Sequence, residues 1–199
     1  MVVDTVAAKA RLRTDLRQGR REREHVDSHG RAIAEHITDL EPVREACEAG
    51  HPVACYVARS GEPPTEELRR ALRTAGATVL LPRVAGEDLL WCVEDESTEM
   101  AVNALGIAEP VGDPVDLADV EPAVWIIPAL AIDEDGYRLG QGGGFYDRAL
   151  GGRPADGRAP IIAVVFEDEM VHEVPREEHD HRVDVVVTPE RVRWLSMPD

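Results

Sequence analysis

The chain has 199 residues, 43% of them hydrophobic and 31% charged, and carries a net charge of −17. That composition predicts one globular domain with a core of ordinary size. The acidity argues against general nucleic-acid binding. No apolar run reaches the ~18 residues of a membrane span, and no apolar h-region marks a signal peptide.

The charge is uneven. Residues 9–23 hold seven basic and two acidic groups, a net of +5, against −22 for the remainder. Residues 4–24 predict a helix despite Gly19, with Lys9, Arg13, Arg17 and Arg20/Arg21 on one basic face. Leu12 and Leu16 are expected to bury on a neighbouring face. Such a stripe either meets an anionic ligand or pairs with acidic surface. Lys9 is the only lysine in the chain, beside 21 arginines. A compact point charge on a flexible stem suits a phosphate, where Lys and Arg are not interchangeable.

Asp27 or Ser28 is expected to cap a second helix running to about Leu40, with Ile33, Ile37 and Leu40 on one side. A short third helix covers Val43–Ala49 and stops at Gly50. His51–Val57 reads as a strand entering the breaker-rich loop Ala58–Pro64. Thr65 is expected to cap a helix over 66–75, with Leu68 and Leu72 inward. Thr78–Leu81, closed by Pro82, and Asp88–Val93 read as strands. Glu94–Glu99 reads as an acidic turn, Leu105–Pro110 as a loop, and Val111–Glu121 as a polar, Pro-punctuated segment. Ala123–Ile127 is a continuous apolar run, consistent with a buried strand. Gly151–Ala159 reads as flexible. Ile161–Phe166 and Val183–Thr188 are further strands, with Arg191–Leu195 extending the sheet, and Val174–Arg182 is irregular. Strands alternating with helices predict a single α/β domain over residues 1–199, a mostly parallel sheet flanked by helices. Cys47, Cys55 and Cys92 form no C-x-x-C pair, so three unpaired thiols in a reducing cytoplasm are expected.

The stretch Gly136–Leu150, G-Y-R-L-G-Q-G-G-G-F-Y-D-R-A-L, carries the chemistry. Gly140, Gly142, Gly143 and Gly144 let the backbone approach a ligand closely, and successive amide N–H groups there can form an anion nest. Phe145–Leu150 reads as a short helix starting at the same spot. Arg138 adds a planar, fixed charge. The stretch is neither a P-loop, having no G-K-[ST], nor a dinucleotide fingerprint, because Phe145 stands where the third glycine belongs. A bare glycine cluster is also compatible with a plain flexible loop. Its position after a buried strand favours a ligand site. No Ser–His–Asp or Cys–His constellation is visible. His179 and His181 flank one residue, a weak metal pattern.

These residues carry a resemblance. Ile127–Asp133 together with Gly136–Leu150 looks like the signature of the 5-formyltetrahydrofolate cyclo-ligase family. In order around it stand K-x-x-L-R at Lys9–Arg13, G-E-x-x-T at Gly61–Thr65, L-P-R at Leu81–Arg83, G-I-x-E-P at Gly106–Pro110 and V-P-x-E-x-H-D at Val174–Asp180. The resemblance covers nearly the whole chain. It implies a fold of the NagB/RpiA/CoA-transferase-like kind. It also implies ATP- and Mg²⁺-dependent closure of 5-formyltetrahydrofolate to 5,10-methenyltetrahydrofolate, with ADP and phosphate released. In that family the formyl oxygen attacks the γ-phosphate, N10 attacks the activated carbon, and phosphate leaves.

Carried over, the resemblance implies ATP contacts at Lys9, Arg13, Arg138, Gly140, Gly142, Gly143, Gly144, Phe145 and Tyr146. It implies folate contacts at Val57, Glu62 and Tyr146, Mg²⁺ at Asp147 and Asp180, and catalytic roles for Arg138 and Tyr146. It implies a cytoplasmic monomer acting on small molecules, with no nucleic-acid or membrane partner. Without the resemblance, Lys9 and Arg13 also fit a solvated helix face, and Asp147 a helix start. Phe145 replaces the family's usual first Tyr, Ala129 its usual Gly, and Glu167–Glu169 a segment that often holds Gln. The rival reading is a non-catalytic folate- or nucleotide-binding module of the same fold. An acyl-transfer or sugar-phosphate enzyme is disfavoured, because no catalytic Glu, Lys or His motif for it is found.

Overall fold

Apolar spacing decides which segments become helix and which become sheet. The computed structural model describes residues 5–24, 26–104, 106–151, 159–177 and 180–195. The first part of the chain is helical, with α1 (Thr5–Glu22), α2 (Gly30–Thr38) and α3 (Glu41–Glu48). Then come β1 (Pro52–Ala54), α4 (Glu66–Thr74), β2 (Thr78–Ala85) and β3 (Asp88–Glu94). A small pair, β4 (Met100–Val102) and β5 (Ala108–Pro110), precedes β6 (Val124–Pro128). The ribbon β7 (Ala131–Ile132) and β8 (Arg138–Leu139) leads into α5 (Phe145–Gly151). β9 (Ile161–Val164), β10 (Val185–Val187) and β11 (Val192–Trp194) complete the sheet.

The main sheet runs β11-β10-β9-β6-β1-β2-β3. The inner pairs β10–β9, β9–β6, β6–β1 and β1–β2 are parallel, and the two edges are antiparallel. Strands buried on both faces explain the unbroken Val/Ile runs. From β1 the chain moves to β2 on one side, and β6 later returns on the other. That reversal makes the carboxyl ends of β1 and β6 a topological switch point, where open α/β sheets bind ligands.

One face of the sheet is covered by α2, α3 and α4, through Ile33, Ile37, Val43, Leu68 and Leu72 against Val53, Val79 and Val124. The other face packs Trp91, Trp125, Ile127 and Leu150. There the two indole rings meet edge to face, 5.3 Å apart. Each large aliphatic side chain so buried stabilises the fold by ~1.5–3 kcal/mol. α1 sits apart from both faces. Leu12 and Leu16 pack on the β7–β8 ribbon, against Leu130, Ala131, Leu139 and Val174.

Several local expectations are corrected. The second helix begins only at Gly30, after a 3₁₀ turn over Val26–His29, and its N-cap residue is His29, whose side chain makes no capping hydrogen bond. Thr65 stands at the head of α4 without capping it, because its hydroxyl is taken. It donates to the Tyr56 carbonyl at 2.7 Å and accepts from the Ala58 N–H at 3.2 Å. It therefore ties the loop rather than the helix. Pro82 does not close its strand. β2 runs on to Ala85 and pairs with β3 throughout. The expected loop at 105–110 contributes β5, paired with β4. The strand expected over His51–Val57 stops at Ala54. All three cysteines are free thiols and buried. Among the described residues no helix is long and apolar enough to cross a membrane.

Candidate active site

A cleft of about 1350 Å³ opens over the carboxyl ends of β1 and β6. Pockets for one small molecule usually measure ~300–1,000 Å³, so this cleft has room for two. All thirteen residues singled out from the sequence line it, from Lys9 and Arg13 to Asp147 and Asp180.

The glycine loop forms one end. The β7–β8 ribbon carries Arg138 into the cleft wall, and the loop then turns through positive φ at Gly142 (103°) and Gly144 (67°) into α5. A residue with a Cβ is strained at such angles. The basic face of α1 lies along this loop. Arg13 Nε donates to the Gly140 carbonyl at 2.9 Å. Arg17 donates to the Gln141 carbonyl at 2.8 Å and to its side-chain oxygen at 3.0 Å. Arg148 donates to the Gly143 carbonyl at 3.1 Å, and its guanidinium lies 5.4 Å from the Phe145 ring centre. Cations thus grip the loop carbonyls of Gly140, Gln141 and Gly143.

The ionic residues at this end pair with one another. Lys9 is buried, and its ammonium donates to Asp180 at 2.7 Å and Glu177 at 2.8 Å. Burial alone lowers its pKa, but the hydrogen bonds and charges of Asp180 and Glu177 outweigh burial and leave it raised. Arg138, also buried, donates to the Asp147 carboxylate. Burial pulls the Arg138 pKa down, and Asp147 opposes that pull.

Tyr56, Val57, Glu62 and Tyr146 form the other end. Tyr56 donates to the Pro63 carbonyl at 3.3 Å. The Arg59 N–H donates to Glu62 Oε2 at 3.0 Å. Burial, followed by the charge of Glu62 and by Cys55, pushes the Tyr146 hydroxyl pKa far up. Tyr146 is therefore a neutral hydrogen-bond donor at any ordinary pH.

Two arrangements escaped the sequence reading. Arg17 holds the loop through Gln141, a contact no local pattern announces. Arg20 is buried and bidentate on Glu169, at 2.6 and 2.8 Å. The acidic run that departs from the family pattern has its explanation there. Glu169 holds Arg20, Asp168 holds Arg23, and Glu167 holds Arg191. His179 lies outside the described residues. Among the described residues no group of three or more His, Cys, Asp or Glu side chains converges on a metal position. Asp147 and Asp180 offer two carboxylates at most. That suits Mg²⁺, which commonly takes one or two carboxylates and completes its shell with phosphate oxygens and water.

The model of the 5-formyltetrahydrofolate cyclo-ligase family matches residues 5–189. A 5-formyltetrahydrofolate cyclo-ligase from Mycolicibacterium smegmatis is 37% identical over 194 residues, covering 92% of this chain and 95% of that protein. The enzyme of the same description from Escherichia coli K12 is 36% identical, covering 71% and 80%. The NMR structure of Aquifex aeolicus 5,10-methenyltetrahydrofolate synthetase superposes with a TM-score of 0.74 at 27% identity, covering 94% and 92%.

Proposed function

The chain belongs to the 5-formyltetrahydrofolate cyclo-ligase family, and from that premise we propose that its cleft closes 5-formyltetrahydrofolate to 5,10-methenyltetrahydrofolate as ATP is split to ADP and phosphate. The observation that carries this reading is the cleft itself. A glycine loop ringed by Lys9, Arg13 and Arg138 faces a second end walled by Tyr56, Val57, Glu62 and Tyr146.

Phosphoryl transfer asks for positioning and charge neutralisation more than for a protein nucleophile. The loop amides and Arg138 bind the triphosphate, with Lys9 and Arg13 reaching it from α1. Each charge-assisted contact contributes ~1.5–3 kcal/mol. Asp147 and Asp180 would hold Mg²⁺, which when bound would supply neutralisation of developing charge. Both carboxylates are bonded to Lys9 and Arg138 in the ligand-free chain. In this reading Lys9 and Arg138 would turn from these carboxylates to phosphate, which would leave Asp147 and Asp180 free to hold the ion. Glu62 accepts N–H groups of the pterin edge, and Tyr146 lies between the two substrates as a neutral donor. The formyl oxygen takes the phosphoryl group, and phosphate departs from the carbon as N10 closes the ring. Ring closure also releases the N10 proton, which leaves on the departing phosphate as hydrogen phosphate.

The test is absorbance in the methenyltetrahydrofolate band, on mixing protein, 5-formyltetrahydrofolate, Mg²⁺ and ATP, beside a control without ATP. An ATP-dependent rise is expected. No rise, with folate binding retained, would replace the enzyme by a binding module.

A further inference from the structure

Arg20 has a donor left over. Its Nε and Nη2 bind Glu169, and Nη2 also donates to the Ala129 carbonyl at 2.6 Å, at the carboxyl end of β6. Nη1 is buried and has no hydrogen-bond partner. It lies 3.8 Å from Glu62 Oε1, too far for a hydrogen bond. Glu62 uses its other oxygen for the Arg59 N–H. Arg20 and Glu62 both line the cleft, and both are more than nine-tenths buried.

A buried donor without a hydrogen bond is costly, and one that lines a cleft can be satisfied by a ligand there. Here a donor and an acceptor stand side by side. Their complement is a ring edge that offers C=O next to N–H. Glu169 is itself anchored by the Phe166 N–H at 3.0 Å, so the guanidinium is fixed from behind. We propose that Arg20 and Glu62 together read the lactam edge of the substrate heterocycle, with Arg20 Nη1 donating to the ring carbonyl and Glu62 Oε1 accepting from the adjacent N–H. The assignment rests on the reading of Glu62 as the folate-side carboxylate. It adds Arg20 as a specificity residue and names the recognised edge. A 4-amino ring is rejected because its amino group turns a donor toward Arg20.

The experiment compares two ligand pairs by calorimetry. One pair is 5-formyltetrahydrofolate and its 4-amino analogue. The other is free pterin and 2,4-diaminopteridine. Wild-type protein should prefer the oxo form of each by ~10–150-fold, the range of one hydrogen bond to a charged group. Arg20→Met should erase the preference in both pairs and leave the KM for ATP unchanged. A variant that merely loosened the fold would weaken both members of a pair alike. Where Arg20→Met does not fold, Arg20→Lys decides. It keeps the charge for Glu169, loses the second fork, and should lose the preference too. Equal binding of oxo and amino forms by wild type overturns the proposal, as does an undiminished preference in the variants or no binding of either pteridine. Retained discrimination without ATP-dependent turnover would overturn the enzyme reading alone.

Discussion

Replacing Lys9 by Ala removes the only ammonium that faces the glycine loop. Its partner Asp180 has a side chain only 10% exposed, and Glu177 one 40% exposed. The variant therefore leaves one nearly buried carboxylate without its ammonium, held by the Glu177 N–H at 2.7 Å, at a stability cost of about 1–3 kcal/mol. The larger effect is on ATP. A lost charge-assisted contact of ~1.5–3 kcal/mol lowers kcat/KM for ATP by ~10–150-fold, at 1.4 kcal/mol per decade. Folate affinity should stay at the wild-type level, since the proposed reading assigns Lys9 to the phosphates. The assay is initial rate against ATP at saturating folate, with folate titrated by calorimetry and folding checked by thermal melt. An unchanged kcat/KM for ATP in a folded variant would refute the placement of Lys9 on phosphate. A matched loss in folate affinity would refute the division of the cleft into two ends.

Two glycines should separate fold from function. Gly76 has φ of 104°, and a Cβ there would meet the Cys47 carbonyl at 2.9 Å. Gly76→Ala should cost ~1–3 kcal/mol and lower Tm by several degrees with KM values unaltered. Gly142 has φ of 103° and faces the Arg13 guanidinium, so Gly142→Ala should cost a similar backbone strain and, unlike Gly76→Ala, also raise the KM for ATP. Stability should fall as the pH rises above about 9. Burial raises the thiols of Cys47 and Cys92 from 9.0, that of Cys55 to about 12, and the phenols of Tyr56 and Tyr146 from 10.0. Above the unfolded values the unfolded chain sheds protons that the native one keeps, so the slope of stability against pH is negative. Denaturant melts from pH 7 to 10.5 read that slope, and a rising one would contradict the burial of these groups. For the same reason the native protein should resist a thiol-alkylating reagent at pH 8, and react fully once unfolded.

The strands were legible where burial on both faces writes an unbroken apolar run, as at Val124–Ile127 and Ile161–Val164. The basic face of α1 was legible because charge repeats at helical spacing. What that face would meet was not. Arg20 and Glu169 are 149 positions apart, and a pairing that distant leaves no periodic trace. Thr65 misled because a Thr before a helix looks the same whether its hydroxyl serves the helix or the loop behind it. Only the approach of Tyr56 and Ala58 decides. Pro82 misled because a proline interrupts a strand only where its missing N–H is needed, and β2 keeps its pairing with β3 across that position. The glycine loop was legible as a loop with ligand potential. Its brace of three arginines was not, since two of them arrive from α1.

α1 has a further consequence for how the molecule comes into being. Its side chains bond to Gly140, Glu169, Glu177 and Asp180, between 127 and 171 positions further along. During synthesis this helix leaves the ribosome before any of its partners exist. Contacts of such separation form late, after the intervening chain has closed. The sheet can assemble first, and α1 then swings onto the β7–β8 ribbon. Ligand grip therefore arrives as the last act of folding. A nascent chain halted before residue 180 would have its core strands through β9 and yet an incomplete cleft, without the Asp180 partner of Lys9.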